Sequence, residues 1–378
     1  MNWFIICFFV ISIILFVVIR YYFLKNKADK EDFETFENEK KLTSTEKLLK
    51  EHHVALRFID SKTARTLVIK KGEYLQGMNQ SNLSARNCIS IDQLYNKYLD
   101  AFYDITEKEK STVIDFTLNL LIEIKNKSFA YHKYLVYWLN KIFIAKAKGW
   151  LESGMPHTLE TTIIMNSNWF TNPSKTTFIH EITHVHQRQV FTEFEDLYYE
   201  LGYFYYPKYI KGMENIYALN RNNPDGTSIY WLWHNSKSSD NKPQIANQNY
   251  QNVEKTQSLP PEFVETDNYW WIGAVFKSAT PSSLTDVNLL ALKLERGPDG
   301  SFYYLKQNPT LLSNFTEFID FFGENPNNYH PNEMTAKFAE WFLLDSLGDV
   351  NASKNYYNHK GYLIYKKYFE NIITSYYN

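Results

Sequence analysis

Cysteine is scarce in this chain of 378 residues, which holds only Cys7 and Cys88. Cys7 lies inside an apolar amino-terminal run, so the rest of the chain cannot carry a disulfide framework of its own. The sequence also lacks a CxxC pair, a glycine-rich phosphate-binding loop and a GxSxG turn. These absences exclude redox, nucleotide-dependent and serine-hydrolase classes of function.

The chain also lacks an excess of charge of either sign, since 40 basic and 42 acidic residues leave a formal net charge of −2. Such a balance gives no electrostatic basis for a nucleic-acid partner, whose phosphates attract a basic surface. Aromatic residues, in contrast, make up 17% of the chain, which is ample to fill a large core. The length allows one large domain or two modest ones.

The amino terminus carries a long apolar run. Residues 3–19 are apolar apart from Ser12, and the bulky residues 21–24 extend the run beyond Arg20. That length can span a bilayer, and no small-residue cleavage site follows it. We therefore predict a transmembrane anchor at residues 1–25, with a cleaved signal peptide as the alternative.

Basic residues predict the orientation of this anchor. Positive residues favour the cytoplasmic side, and four of them lie on the carboxyl side of the run: Arg20, Lys25, Lys27 and Lys30. Residues 26–42 are charged and lack apolar periodicity, which indicates a tether. The sequence thus predicts a single-pass protein of the lipid bilayer, with the bulk of the chain on the cytoplasmic side.

Residues 43–378 predict one mainly helical α+β domain with a β-rich insertion at 224–306. Apolar residues at three-to-four spacing predict helices at 45–58, 91–105, 108–125, 131–148, 193–206, 311–322, 331–347 and 355–376. Alternating and β-branched runs predict strands at 65–69, 161–165, 227–233, 269–276, 288–294 and 302–305. The sequence Asn223-Pro224-Asp225-Gly226 marks a turn at the start of the insertion. The inserted sheet is either one wall of a substrate cleft or a solvent-facing sheet.

The most specific signal is the HExxH pattern of His180, Glu181 and His184. In a helix the two histidines stand one turn apart on one face, where their neutral rings can hold one Zn²⁺. Glu181 beside them can take a proton from a metal-activated water and pass it to a leaving amine. Asn172 as a cap and Pro173 as first helical residue predict the start of this helix. The alternative is a helix with two packed histidines, a surface glutamate and no metal.

Two histidines leave a catalytic metal one protein ligand short. Glu333 is the best candidate, because Pro331 just inside a helix start puts it in the first turn of an apolar helix that can face the motif. An acidic residue is also favoured there by the helix dipole alone. Glu340, two turns further on, and Glu200, at a thermolysin-like distance from the motif, remain alternatives.

Two segments together resemble a known group of enzymes. Residues 178–187, FIHEITHVHQ, and residues 329–342, YHPNEMTAKFAEWF, look like the gluzincin branch of HExxH zinc metallopeptidases, in which an HExTHVxQ helix precedes a distant NExxA helix. The resemblance implies a zincin-like catalytic domain with His180, His184 and Glu333 as zinc ligands. It also implies that Glu181 is the general base. The gap between the segments is longer than in the best-known gluzincins.

Three further residues are candidates for substrate contacts. His157 precedes a β-rich run that suits a sheet edge on which an extended peptide aligns. Tyr329 and His330, next to the proposed ligand, could donate a hydrogen bond to the oxyanion of the reaction. Each of the three also suits an ordinary structural role.

The sequence therefore predicts a membrane-anchored, zinc-dependent metallopeptidase that hydrolyses a peptide or protein substrate through metal-activated water. The alternative is a catalytically silent zincin-fold membrane protein that acts in binding or structure. Glu181 favours the enzyme, because a purely structural zinc site usually closes its fourth position with another Cys or His.

Overall fold

The computed structural model describes residues 49, 52–69, 74–75, 77–226, 231–234, 268–305, 308–325, 329–349, 356 and 358–377. The chain divides into two compact units, Met1–Leu48 and Leu49–Asn378, and all described residues belong to the second. The predicted anchor at 1–25 and tether at 26–42 lie outside the described residues. Within the part described, no helix combines the length and the apolar character that crossing a membrane requires.

Helices and strands both build the second unit, which confirms the α+β class. The helices are α1 (Ser61–Ile69), α2 (Gln80–Ala85), α3 (Ile91–Leu99), α4 (Glu107–Lys125), α5 (Phe129–Leu139), α6 (Lys175–Gln189), α7 (Phe191–Glu200), α8 (Glu214–Leu219), α9 (Thr316–Phe322), α10 (Pro331–Leu347) and α11 (Lys360–Tyr377). The strands are β1 (Arg57–Phe58), β2 (Phe102–Tyr103), β3 (Phe143–Ala147), β4 (His157–Leu159), β5 (Thr162–Asn166), β6 (Tyr203–Tyr205), β7 (Trp231–His234), β8 (Tyr269–Phe276), β9 (Val287–Arg296), β10 (Phe302–Tyr303) and β11 (Thr310–Leu311).

The first sheet has the order β1-β3-β5-β4, and β2 also pairs with β3. β3 runs parallel to β1 and β5, whereas β4 runs antiparallel to β5 at one edge. Successive side chains of a strand point to opposite faces. On one face Ile163 and Met165 join the large core that includes α6, and on the other face Leu159 and Ile164 join a second apolar cluster. The motif helix α6 thus packs on one face of this sheet, beside the edge strand β4.

The second sheet is antiparallel, with the order β10-β9-β8-β7-β6, and β11 also pairs with β9. Both of its faces are covered: Trp233 and Ile272 lie in the large core, while Leu232 and Trp271 lie in a third cluster beside α8. The sheet includes β6 and β11, which lie just outside the predicted insertion at 224–306. The polar stretch between β7 and β8 lies outside the described residues.

Predicted helices at 108–125 and 331–347 and the predicted strand at 269–276 are confirmed as α4, α10 and β8. Three other predicted helices begin within two residues of the predicted start but end early, and a strand follows each one. These are 91–105, 131–148 and 193–206, where the structure has β2, β3 and β6 after the helix. Short apolar runs fit a buried strand and a helical turn equally well, so periodicity alone did not separate them.

Two predictions near the start of the unit are wrong for a related reason. Residues 57–58, predicted as the end of a helix at 45–58, form strand β1. Residues 65–69, predicted as a strand, form the second half of α1. Residues 65–69 include Thr66, Val68 and Ile69, whose branched side chains favour strands when considered locally. Tertiary contacts override this preference, since Ala64 in the same helix is buried in the second cluster.

Candidate metal centre

Helix α6 presents the HExxH residues from a fully packed position. Its first residue is Lys175 and its cap is Ser174, whose hydroxyl accepts the Thr177 N–H at 3.3 Å, so the prediction of Asn172 as cap and Pro173 as first residue is wrong. A serine at this point provides the same capping oxygen one turn before the apolar residues. Residues 178–187 are all buried, because the sheet, α7 and α10 surround the helix.

Helix α10 places Glu333 opposite α6. Its first residue is Pro331, as predicted, and its cap is His330, whose Nδ1 accepts the Asn332 N–H at 3.1 Å. Glu333 lies in the first turn and points inward with its side chain buried. Ala336 and Ala339, both buried, let α10 approach α6 closely.

The two helices bring together His180, His184 and Glu333, which we call the metal cluster. Nε2 of His180 lies 3.4 Å from Oε2 of Glu333, and Nε2 of His184 lies 3.6 Å from Oε1. Ligand atoms around a tetrahedral Zn²⁺ stand about 3.3 Å apart. One oxygen or nitrogen from each residue falls within 4.8 Å of the others, and no other group of three such residues forms among the residues that the structure describes. Glu200, at the end of α7, is therefore not part of a cluster.

Glu340 supports His180 from the far side of its ring. Oε1 of Glu340 lies 2.9 Å from Nδ1 of His180, and its Oε2 pairs with Lys337 at 2.7 Å. A carboxylate in this position accepts the Nδ1 hydrogen, so that Nε2 faces the cluster and would offer its lone pair once its own proton leaves. Glu340 thus lies behind His180 and outside the metal cluster.

Gln187 supports His184 in the same way. Its amide nitrogen donates to the Asn332 carbonyl at 2.9 Å and to the Thr335 hydroxyl at 2.8 Å, which orients the amide. The amide oxygen, 2.8 Å from Nδ1 of His184, must then accept the Nδ1 hydrogen. Nε2 of His184 consequently carries a lone pair, and this buried atom has no hydrogen-bond partner within the described ranges.

The charges in the cluster shift its protonation. Burial lowers the pKa of His180, but hydrogen bonds with Glu333 and Glu340 outweigh burial and hold that pKa well above 6.5. Burial raises the pKa of Glu333, but its interactions with His184 and His180 and the hydrogen bond from Asn223 outweigh burial and lower that pKa. The pKa of His184 is lowered, mainly by burial. His184 is therefore neutral at pH 7, as a metal ligand must be, and a proton on His180 supplies positive charge when no cation is bound.

Glu181 is buried beside the cluster. Its Oε2 has no hydrogen-bond partner in the part of the chain described. Burial, and after it the negative charge of Asp225, raises the pKa of Glu181 well above 4.5. A carboxylate with a raised pKa accepts a proton readily, which suits a general base.

A turn at residues 223–226 also reaches the cluster. Nδ2 of Asn223 donates to Oε1 of Glu333 and to the hydroxyl of Tyr329. Tyr329 is buried, and burial followed by the Glu333 charge raises its pKa. Tyr329 therefore lies one hydrogen-bonded residue away from the metal cluster.

The other two predicted contact residues take different places. His157 pairs with Ile164 across β4 and β5, and cross-strand partners share a face, so His157 lies on the sheet face away from α6. Its Nδ1 contacts the Met155 carbonyl at 3.2 Å. His330 caps α10 as described above, and Gly226 lies against its ring.

Sequence reasoning missed Gln187, Asn223 and Thr335 as residues of the site. Gln187 lies three residues after His184 on one helix, a spacing at which side chains meet, so a local signal for it existed. Asn223 belongs to the predicted turn, but nothing local connects that turn to Glu333. Comparison with known proteins adds no assignment: no protein-family model matches the chain, and neither curated proteins nor solved structures give a match.

Proposed function

We propose that this chain is a zinc-dependent metallopeptidase with a zincin-like catalytic domain. In this proposal His180, His184 and Glu333 hold the metal, and Glu181 is the general base. Glu340 and Gln187 orient the two histidines.

One observation carries the proposal. Nε2 of His184 and Oε2 of Glu181 are both buried without a hydrogen-bond partner in the described residues. Leaving a buried polar atom unpaired costs roughly 1–3 kcal/mol. Nε2 of His184 lies 3.6 Å from the Glu333 carboxylate, and the charge of Glu333 also acts on Glu181. A cation together with a water molecule is the occupant that would offset this cost.

The donor set favours zinc over harder cations. Two imidazole nitrogens and one carboxylate oxygen match the three protein ligands of many catalytic zinc sites, which keep a fourth position open. Calcium and magnesium prefer shells made of oxygen alone. A structural zinc site would instead need a fourth Cys or His, and among the described residues none joins this cluster.

The residues around the cluster suit amide hydrolysis. A bound Zn²⁺ would supply a Lewis acid that makes a water more acidic and polarises an amide carbonyl. Glu181 would take the proton of the attacking water and deliver it to the leaving amine. Tyr329, held by Asn223, is the candidate donor to the oxyanion of the tetrahedral intermediate.

We further propose, from the sequence pattern alone, that residues 1–25 anchor this unit in a lipid bilayer with its bulk on the cytoplasmic side. The full chain should then stay with membranes through an alkaline wash. Release by that wash would contradict an integral anchor.

The Glu181→Gln variant tests the enzymatic proposal. It should bind one equivalent of zinc, as elemental analysis measures it, and lose roughly 10²–10⁴-fold in hydrolysis of a broad peptide library. The matched control is Glu370→Gln on the exposed surface of α11, which should behave like the wild type. If the wild type binds zinc but cleaves no peptide, the chain is the catalytically silent binding protein instead.

A further inference from the structure

The metal cluster is closed to a polypeptide. The exposed fractions are 9% for His180, 3% for Glu181, 1% for His184 and 5% for Glu333. A peptide bond must approach both the metal position and Glu181 to react, and so little exposed surface does not admit a chain. Hydrolysis therefore requires that some covering segment move.

Among the described residues, the turn at 223–226 packs against the cluster; we call it the cover turn. It closes through the Gly226 N–H and the Asn223 carbonyl at 3.3 Å. Asn223 bonds directly to the ligand Glu333, and Pro224 and Asp225 are buried. The negative charge of Asp225 acts on both Glu181 and His184. One short turn thus faces the ligand and the base together.

The cover turn also binds the outer edge of strand β4. The Thr158 N–H in β4 donates to Oδ1 of Asp225 at 2.8 Å. The Thr158 carbonyl accepts from Nη2 of Arg188 at 3.3 Å, and this guanidinium pairs with Asp225 at 3.1 Å. The outward N–H and C=O groups of an edge strand are those that an extended peptide would use to add itself to the sheet.

We propose that the cover turn is a movable lid, which seals the metal cluster and the β4 edge at once and swings away to admit an extended polypeptide. This inference rests on the proposed peptidase function. The closed form predominates because Asp225 is well paired with Thr158 and Arg188, and Arg188 also donates to the Pro224 carbonyl. Opening exposes the Glu333 side of the cluster and the Thr158 edge in one movement, so metal exchange and edge exposure are coupled.

The Gly226→Ala variant should shift the lid toward its open form, because the added Cβ clashes with His330 when the lid is closed. A Cβ at this position would stand 2.8 Å from Cγ and Nδ1 of His330. The His330 ring cannot easily retreat, because its Nδ1 caps α10. Gly149→Ala is the matched control, since a Cβ there meets nothing within 4 Å. Neither glycine has a positive φ, so alanine adds no backbone strain at either position.

Two measurements report on the lid without hydrolysis. Excess chelator should extract zinc about tenfold faster from Gly226→Ala than from the wild type or Gly149→Ala, a size typical of an overpacked contact. In metal-free protein, mass spectrometry should show faster amide hydrogen exchange at Thr158 by a similar factor. Equilibrium zinc affinity should change by less than about threefold, because a lid speeds metal binding and release alike.

The outcomes separate the lid from a fixed wall. Unchanged extraction and exchange, or a large loss of zinc affinity with slower hydrolysis, would mean that the turn is a fixed part of the site and would overturn the lid. If Gly226→Ala does not fold, Asp225→Asn, which weakens the contact with Arg188, should accelerate the same two rates. Accelerated rates in a protein that cleaves no peptide would preserve the lid and refute the peptidase.

Discussion

Two buried groups of charged side chains in this protein differ in how their charges are balanced. In the first, the arginine cluster of Arg86, Glu152, Tyr98 and Tyr74, Arg86 donates to both carboxylate oxygens of Glu152 at 3.0 and 2.7 Å. Tyr98 donates to the same carboxylate, and Tyr74 accepts from the guanidinium. The chain itself supplies every partner that these charges need.

The metal cluster and Glu181 are balanced differently, because the positive charge beside Glu333 is a proton on His180 and not a lysine or arginine side chain. Lys337 pairs with Glu340 and Arg188 pairs with Asp225, but in the described ranges no lysine or arginine forms an ion pair with Glu333 or Glu181. A divalent cation would replace that proton and neutralise the buried carboxylates in its place. Burial of charge alone therefore does not distinguish these two groups of side chains, whereas the kind of counter-charge beside the carboxylates does.

The largest expected effect comes from removing the cation of the arginine cluster. Arg86→Met should lower the free energy of unfolding by about 3–5 kcal/mol, because it leaves Glu152 buried and unpaired. Urea unfolding measures this loss. Zinc content of the folded fraction should stay at one equivalent, because the nearest approach of Arg86 to the metal cluster is its 3.4 Å contact with the Asn222 carbonyl, which precedes the turn at 223–226.

The double variant Arg86→Met with Glu152→Leu provides the control for that experiment. It removes both charges and should recover most of the lost stability. A loss below about 1 kcal/mol in the single variant would contradict the view that this cluster depends on its internal pairing.

A smaller effect is expected when the support of His180 is weakened. Glu340→Gln keeps an acceptor for the Nδ1 hydrogen but removes the charge, and zinc affinity should fall roughly 10–100-fold. Titration against a chelator of known affinity measures the change. Asp345→Asn on the same helix, which breaks only the partly exposed pair with Lys366, should leave affinity unchanged. Equal affinities in both variants would argue against His180 as a ligand through Nε2.

The comparison of the two clusters also shows which features the sequence alone could predict. The spacing of His180 and His184 and the position of Glu333 after Pro331 are local properties, and so are the ends of α10. The supporting contacts of Glu340 and Asn223 join segments far apart in the chain, and no local pattern encodes them.

The secondary structure shows the same difference between local and long-range features. The sequence predicts both ends of strand β8 correctly, because its apolar and aromatic residues lie between polar residues on either side. The sequence predicts a helix over the residues that form strand β3, although β3 is buried between its parallel partners β1 and β5. A buried parallel strand shows a continuous apolar run, and only its partners distinguish it from the end of a helix.

The smallest expected effect is a difference in pH dependence between the two forms of the protein. Without metal, the folded state holds the pKa of His180 well above its unfolded value of 6.5. A raised histidine pKa contributes stability that is fully present below pH 6.5 and is lost as pH rises through the folded value. The metal-free protein should therefore lose about 1 kcal/mol of unfolding free energy between pH 7 and pH 8.5.

With zinc bound, the His180 ring is neutral, so this loss should vanish, and stability should instead fall on acidification as protons compete for the ligands. Urea unfolding at pH 6.5, 7.5 and 8.5, with chelator or with zinc, measures both slopes. The arginine cluster contributes no slope in this range, because a guanidinium keeps its charge throughout. Identical slopes in the two forms would mean that no metal displaces the His180 proton, and the contrast between the two clusters would then fail.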